Sequence, residues 1–344
     1  MRSGFYNKHI VDLRPRKQTL FQAMKERASR AIKTLGNIFF SRGCVLVLGF
    51  IFAVLFAYCL FNRETLIAQW TALDQTVYHT PDKPNAQGLN LVFLADDYPS
   101  WEEFNNDVDQ IMMGVRTVEP WKSYDRFNIY KINPKNGASL CQVKTENERK
   151  PVLRCNERIN GYFEALKLPR AKFIVFSRKD FQSWANVTRL ENAGIFFSVP
   201  LKIEPATALA QSYLMLHLLG HAFGLKDEEK FVIAKAQGAP HLPDGPNCAP
   251  DKATAEKWWG DLAEQYPDRV GYFNTCAGSD EYIRPTKSSL LNFGDMTDFI
   301  ADYGPVSERY LSKILKYCFS NEYHGAGEDR QFFEMYPEFK ACVK

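Results

Sequence analysis

The sequence predicts a mixed α/β (α+β) domain, from about residue 89 to 344, behind one apolar N-terminal helix. Three observations predict it. Strand-like apolar runs alternate with helical periodicity in the first half of the chain, and helices dominate later. A single uncharged stretch, residues 44–61, reads CVLVLGFIFAVLFAYCLF. Six cysteines (Cys141, Cys155, Cys248, Cys276, Cys318 and Cys342) all follow that stretch, while Cys44 and Cys59 lie within it.

Taken in order, residues 1–43 are basic: ten Lys and Arg stand against Asp12 and Glu26. As a helix, residues 44–61 would reach roughly 27 Å, close to the ~30 Å hydrocarbon core of a bilayer. Basic residues before such a run predict a cytoplasmic N-terminus and an extracytoplasmic remainder, periplasmic or extracellular. A transmembrane signal anchor is the expected reading; a cleaved signal peptide and a buried core helix are its rivals. The chain as a whole carries a formal charge of only +3, and the rest of it is net acidic, so no nucleic-acid footprint is present. An even number of cysteines beyond the span fits an oxidising compartment and disulfides. Six allow fifteen pairings; sequence proximity favours Cys141–Cys155, Cys248–Cys276 and Cys318–Cys342.

Residues 62–88 read as a stalk that ends in a Pro- and Asn-rich loop. Leu89–Ala95 is a buried strand, and Ser100 with Glu103 marks a capped helix start. That helix runs to about Val115 with Phe104, Val108, Ile111 and Met112 on one face. Further strands are expected at Phe127–Ile132, Lys172–Ser177 and Ala193–Val199. Ala206–Phe223 has helical length with no breaker before Gly220. Gln237–Lys287 is dense in Pro, Gly, Asp and Asn and reads as a long loop region. Val306–Phe319 is an amphipathic helix with Tyr310, Leu311, Ile314, Leu315 and Cys318 at helical spacing.

Chemistry concentrates at His217–Asp227, HLLGHAFGLKD. Histidines four apart on a helix share a face, and both can present nitrogen to one zinc ion at about 2.0–2.1 Å. Gly224 can end the helix in a left-handed conformation, so that the chain turns back and delivers Asp227 as a third ligand. Two histidines and a carboxylate leave a fourth position for water.

The spacing resembles H-E-x-x-H-x-x-G-x-x-[HD], the zinc helix of the metzincin clan of metallopeptidases, and other segments are similar to its IgA-peptidase family. Leu91–Tyr98 resembles that family's early strand and turn. Phe104 through Asn128 looks like its following helix and strand. Asp227 with Glu228 resembles its acidic pair. Trp258, Trp259, Gly271 and Tyr282–Pro285 look like its cysteine-bearing loop region. Ser289–Gly294 is similar to the turn beneath the metal, with Leu291 at the usual methionine. The resemblance covers roughly residues 89–320. It implies a mixed sheet with an active-site helix and a C-terminal helical, disulfide-bearing subdomain. It also implies a cleft holding extended peptide along an edge strand near Ala193–Val199.

One departure governs function. Leu218 stands where the family has the glutamate that moves protons between zinc-bound water and the leaving amine. General acid–base catalysis is worth typically ~10²–10⁴-fold, so the expectation is a zinc-binding pseudopeptidase that binds peptide or protein without efficient hydrolysis. Two alternatives stand beside it. One is an active zinc endopeptidase with a relocated base, for which Glu228 and Glu229 are the candidates. The other is a structural membrane-surface domain that has lost its metal.

Overall fold

The computed structural model describes residues 77–134, 139–145, 151–186, 194–200, 205–228, 245–292 and 301–319, together with 334 and 336. The basic tail 1–43, the expected span 44–61 and Cys342 lie outside the described residues. Among the described residues no helix is long and apolar enough to cross a membrane. The chain divides into two compact units, Met1–His79 and Thr80–Lys344. Of the first, the short strand β1 (Val77–His79) is described.

The second unit is built on β2 (Leu89–Asp96), which is buried along its whole length. Its near-continuous apolar sequence is what a strand covered on both faces requires. It pairs in parallel with β3 (Phe127–Asn133) and β6 (Ala171–Ser177). β7 (Trp184–Asn186) pairs antiparallel with β8 (Gly194–Ser198), which in turn is parallel to β6. These strands follow the order β3-β2-β6-β8-β7. The strand expected at Ala193–Val199 is therefore real but interior. β7 flanks it, so the described border of the sheet on that side is Trp184–Asn186.

Helix α1 (Trp101–Val115) starts at Ser100, whose hydroxyl accepts from the Glu103 amide at 3.2 Å. Its apolar face packs with helix α3 (Pro205–Ala222) on one side of the sheet. That core joins Leu91 and Phe93 of β2, Ile174 and Phe176 of β6, Ile195 and Phe197 of β8, and Met215, Leu216, Leu219 and Ala222 of α3. The two helices approach so closely at Gly114 that a Cβ there would lie 2.1 Å from the Ser212 hydroxyl, which excludes any larger residue.

Helix α2 (Arg158–Leu166) stacks Phe163 on Phe173 of β6 at 4.2 Å. β4 (Cys141–Lys144) and β5 (Val152–Cys155) form a hairpin with Cys141 directly opposite Cys155, and the two are disulfide-bonded. Buried Asp96 fastens this hairpin to the sheet. One carboxylate oxygen accepts from the Leu140 and Cys141 amides, the other from Ser177 and Lys179.

The stretch expected as loop contains helix α4 (Lys252–Gln265) and the antiparallel pair β9 (Phe273–Cys276) and β10 (Ser279–Arg284). Asp251 caps α4 by accepting from the Thr254 amide at 2.7 Å. Ala255, Trp259 and Leu262 form its buried face, meeting Val270, Ile283 and Val306 in a second, smaller core. Helix α5 (Gly304–Cys318) buries Tyr310, Leu311, Ile314, Leu315 and Cys318, the expected face. The result is a mixed α/β fold with a mixed sheet.

Candidate metal centre

Helix α3 brings His217 and His221 to its C-terminal turns, and three buried side chains donate to carbonyls along and just past those turns. Tyr303 donates its hydroxyl to Leu216 O, Lys172 Nζ donates to Ala222 O at 3.1 Å, and the Tyr310 hydroxyl donates to Phe223 O at 3.0 Å. An ammonium group at a helix C-terminus also suits the helix dipole. The helix closes in a Schellman motif. Gly224 has φ +95°, the Leu225 amide bonds back to Gly220 O at 3.0 Å, and the Gly224 amide to His221 O at 2.9 Å. A side chain at positive φ is strained, so glycine at this position is what lets the chain reverse. Asp227 follows three residues later and returns to the histidines.

His221 Nε2 lies 2.9 Å from His217 Nε2 and 3.1 Å from Asp227 Oδ1. His217 Nε2 lies 3.3 Å from the same oxygen. The other ring nitrogens fix the tautomers. His217 Nδ1 sits 2.8 Å from Leu290 O and His221 Nδ1 sits 2.9 Å from Leu225 O. A carbonyl only accepts, so both Nδ1 atoms carry hydrogen. In the neutral rings both Nε2 lone pairs then point at one spot, where the carboxylate oxygen joins them. Three converging acceptors need a cation or a shared proton between them.

A metal would fit: the three atoms lie 2.9–3.3 Å from one another, close enough for all of them to reach one ion at about 2.0–2.1 Å. Two imidazoles and a carboxylate suit zinc better than the all-oxygen preferences of calcium or magnesium. The Nδ1–carbonyl bonds are the support that metal-binding histidines ordinarily have. His217 and His221 are mostly buried, and the Asp227 side chain is 41% exposed, so the site opens to solvent on the aspartate side. Without a metal, the proton settles on the histidine side of the pair. Burial lowers the His221 pKa, but the hydrogen bond and charge of Asp227 outweigh it and leave it raised. Burial likewise pushes Asp227 up, yet the bonds from His217 and His221 hold its carboxyl far below the usual range.

Leu218 is 2% exposed and belongs to the main core. Glu228 is wholly buried, and its carboxylate is already committed. Oε1 accepts from Asn247 Nδ2 at 3.0 Å, and Oε2 accepts from Thr286 at 2.5 Å and from Ser289 at 3.0 Å. Burial raises its pKa against those bonds. Glu229 lies outside the described residues. Leu291 is buried against α3: a Cβ on Gly220 would come within 3.2 Å of its Cδ2 and 3.0 Å of the Tyr303 ring. The turn holding Leu291 supplies two carbonyls, Leu290 O to His217 and Leu291 O to the Glu228 amide at 2.8 Å.

Cys248 and Cys276 are disulfide-bonded, as sequence proximity favours. Cys318 is disulfide-bonded too, and Cys342, its expected partner, lies outside the described residues. Sequence reasoning missed Asn247, Ala277, Lys172 and Tyr303. Each is remote in sequence from the histidines, and the sole local hint was that Asn247 and Ala277 each adjoin a cysteine. No family model matches the chain, and the comparison with curated proteins finds no match.

Proposed function

We propose that this chain is a membrane-anchored, extracytoplasmic zinc-binding domain of metzincin-like, IgA-peptidase-like type. It binds a peptide or protein without efficient hydrolysis. One observation carries the reading: His217 Nε2, His221 Nε2 and Asp227 Oδ1 converge within 2.9–3.3 Å while both Nδ1 atoms are anchored to carbonyls. Zinc bound there would acidify a water in the fourth position toward a pKa of about 7. Efficient peptide cleavage also needs a group that takes a proton from that water and returns it to the leaving amine. The family's glutamate position holds apolar, core-packed Leu218, and Glu228 is bound up in three hydrogen bonds. Disulfides in the same unit agree with an oxidising compartment.

The test is peptide turnover by the full-length chain, purified in detergent and loaded with zinc, against a mixed set of quenched fluorescent peptides. The expected result is turnover indistinguishable from that of His221→Ala. Zinc-dependent cleavage that His221→Ala abolishes would overturn the pseudopeptidase reading.

A further inference from the structure

Asp227 projects from a three-residue segment whose backbone is gripped from two directions. The Lys226 amide donates to Asn247 Oδ1 at 2.9 Å, and Asn247 Nδ2 donates back to Lys226 O at 2.8 Å. The same Nδ2 reaches Glu228 Oε1 at 3.0 Å. The Asp227 carbonyl accepts from the Ala277 amide at 2.7 Å. Glu228 O accepts from Arg284 Nη1 at 2.7 Å. Asn247 is fully buried, and its bonds fix the amide orientation, since only Oδ1 can accept from Lys226. The disulfide links the two gripping segments: Cys248 adjoins Asn247, and Cys276 adjoins Ala277.

We infer that Asn247 is a positioning residue for the metal, holding residues 226–228 so that Asp227 Oδ1 meets the two imidazoles. This rests on the zinc reading above. Residues 226–228 follow a helix end and belong to no regular element, so without partners the segment has many conformations to lose on ligation. A side-chain amide that pairs with both backbone groups of Lys226 substitutes for a neighbouring strand. Its third bond reaches the residue on the other side of Asp227, so a single side chain restrains both flanks of the ligand. Removing it leaves the ligand chemistry intact but lets the carboxylate wander, and outer-shell losses of this kind cost about 10–100-fold in metal affinity.

The experiment measures zinc affinity by chelator competition, and the cobalt(II) absorption spectrum, on the full-length chain in detergent. It compares the unaltered protein, Asn247→Ala, Asp227→Ala and the double variant. Expected are one zinc per unaltered chain, about 10–100-fold weaker binding by Asn247→Ala with a changed cobalt spectrum, and a double variant no weaker than Asp227→Ala alone. Wild-type affinity and spectrum in Asn247→Ala, whatever its thermal stability, would overturn the inference, as would additive losses in the double variant. An unaltered chain that takes up no zinc overturns the zinc reading itself along with the inference, a distinct result. If Asn247→Ala does not accumulate folded, Asn247→Asp tests the same grip with near-isosteric change. It keeps an oxygen for the Lys226 amide but loses the Nδ2 bonds to Lys226 O and Glu228, and should weaken zinc several-fold; unchanged affinity there would contradict the inference.

Discussion

His217 and His221 each use one ring nitrogen for position and leave the other for chemistry. Their Nδ1 contacts with Leu290 O and Leu225 O hold the rings in place, so little rotamer freedom would be lost on ligation. Leu218, between them in sequence, faces the opposite demand. It is closed into the core with Met215 and Leu219, where an ionised carboxylate would have no solvent. Leu218→Glu is therefore expected to lower stability by about 2–4 kcal/mol, read by denaturant unfolding; unchanged stability would show that the side chain at 218 is not held in the core. Gly220 is constrained for a packing reason. Gly220→Ala drives a methyl toward Tyr303 and Leu291 and should cost about 1–3 kcal/mol by the same assay.

Among the elements, the end of α3 matters most, because it converts a helix into a turn that returns Asp227. Gly224→Ala keeps every ligand but forces a Cβ into φ +95°. A loss of about 1–2 kcal/mol is expected, with weaker zinc binding as the turn relaxes. Helix α5 predicts a pH dependence. Burial, helped by Asp302 and Glu119 and opposed by Arg269, raises Glu308 from the ordinary 4.5 to about 7. The folded chain then holds a proton that the unfolded chain releases, so stability falls as pH rises from 4.5 to about 7 and is level above. Glu308→Gln should flatten that portion of a melting-temperature profile; an unaltered slope would assign it to other groups. The elements legible in the sequence share a property. α1, α3, α5 and the parallel strands have long periodic or continuous apolar patterns. The β4–β5 hairpin was invisible because its strands are four residues long and only Leu153 and Cys141 are buried. Helix α4 was hidden by the Pro-, Gly- and Asp-rich residues around it, although its Asp251 cap and its Ala255, Trp259, Leu262 spacing were present. Which strand borders the sheet depends on β7, three residues whose place is set by pairing with β8 rather than by any pattern of their own.

At the scale of the molecule, the site divides into a part that is local and a part that is not. The ligand triad was legible because His217, His221, Gly224 and Asp227 fall within two turns and a reversal. Its supports come from Lys172, Asn247, Ala277, Thr286, Leu290 and Tyr303, which only the fold brings together. The Cys248–Cys276 disulfide joins two of those supporting segments across a sequence separation of 28. Replacing both cysteines by alanine should cost about 2–4 kcal/mol and quicken zinc loss to a chelator; unchanged release would confine the bond to a stabilising role. The zinc site proposed at His217, His221 and Asp227 is tested most directly by metal content, by mass spectrometry of the full-length chain prepared with zinc and then gel-filtered. One zinc per chain, abolished in a His217→Ala/His221→Ala variant that still folds, is the predicted result. Zinc far below one equivalent in the unaltered chain, or equal content in the variant, would contradict it.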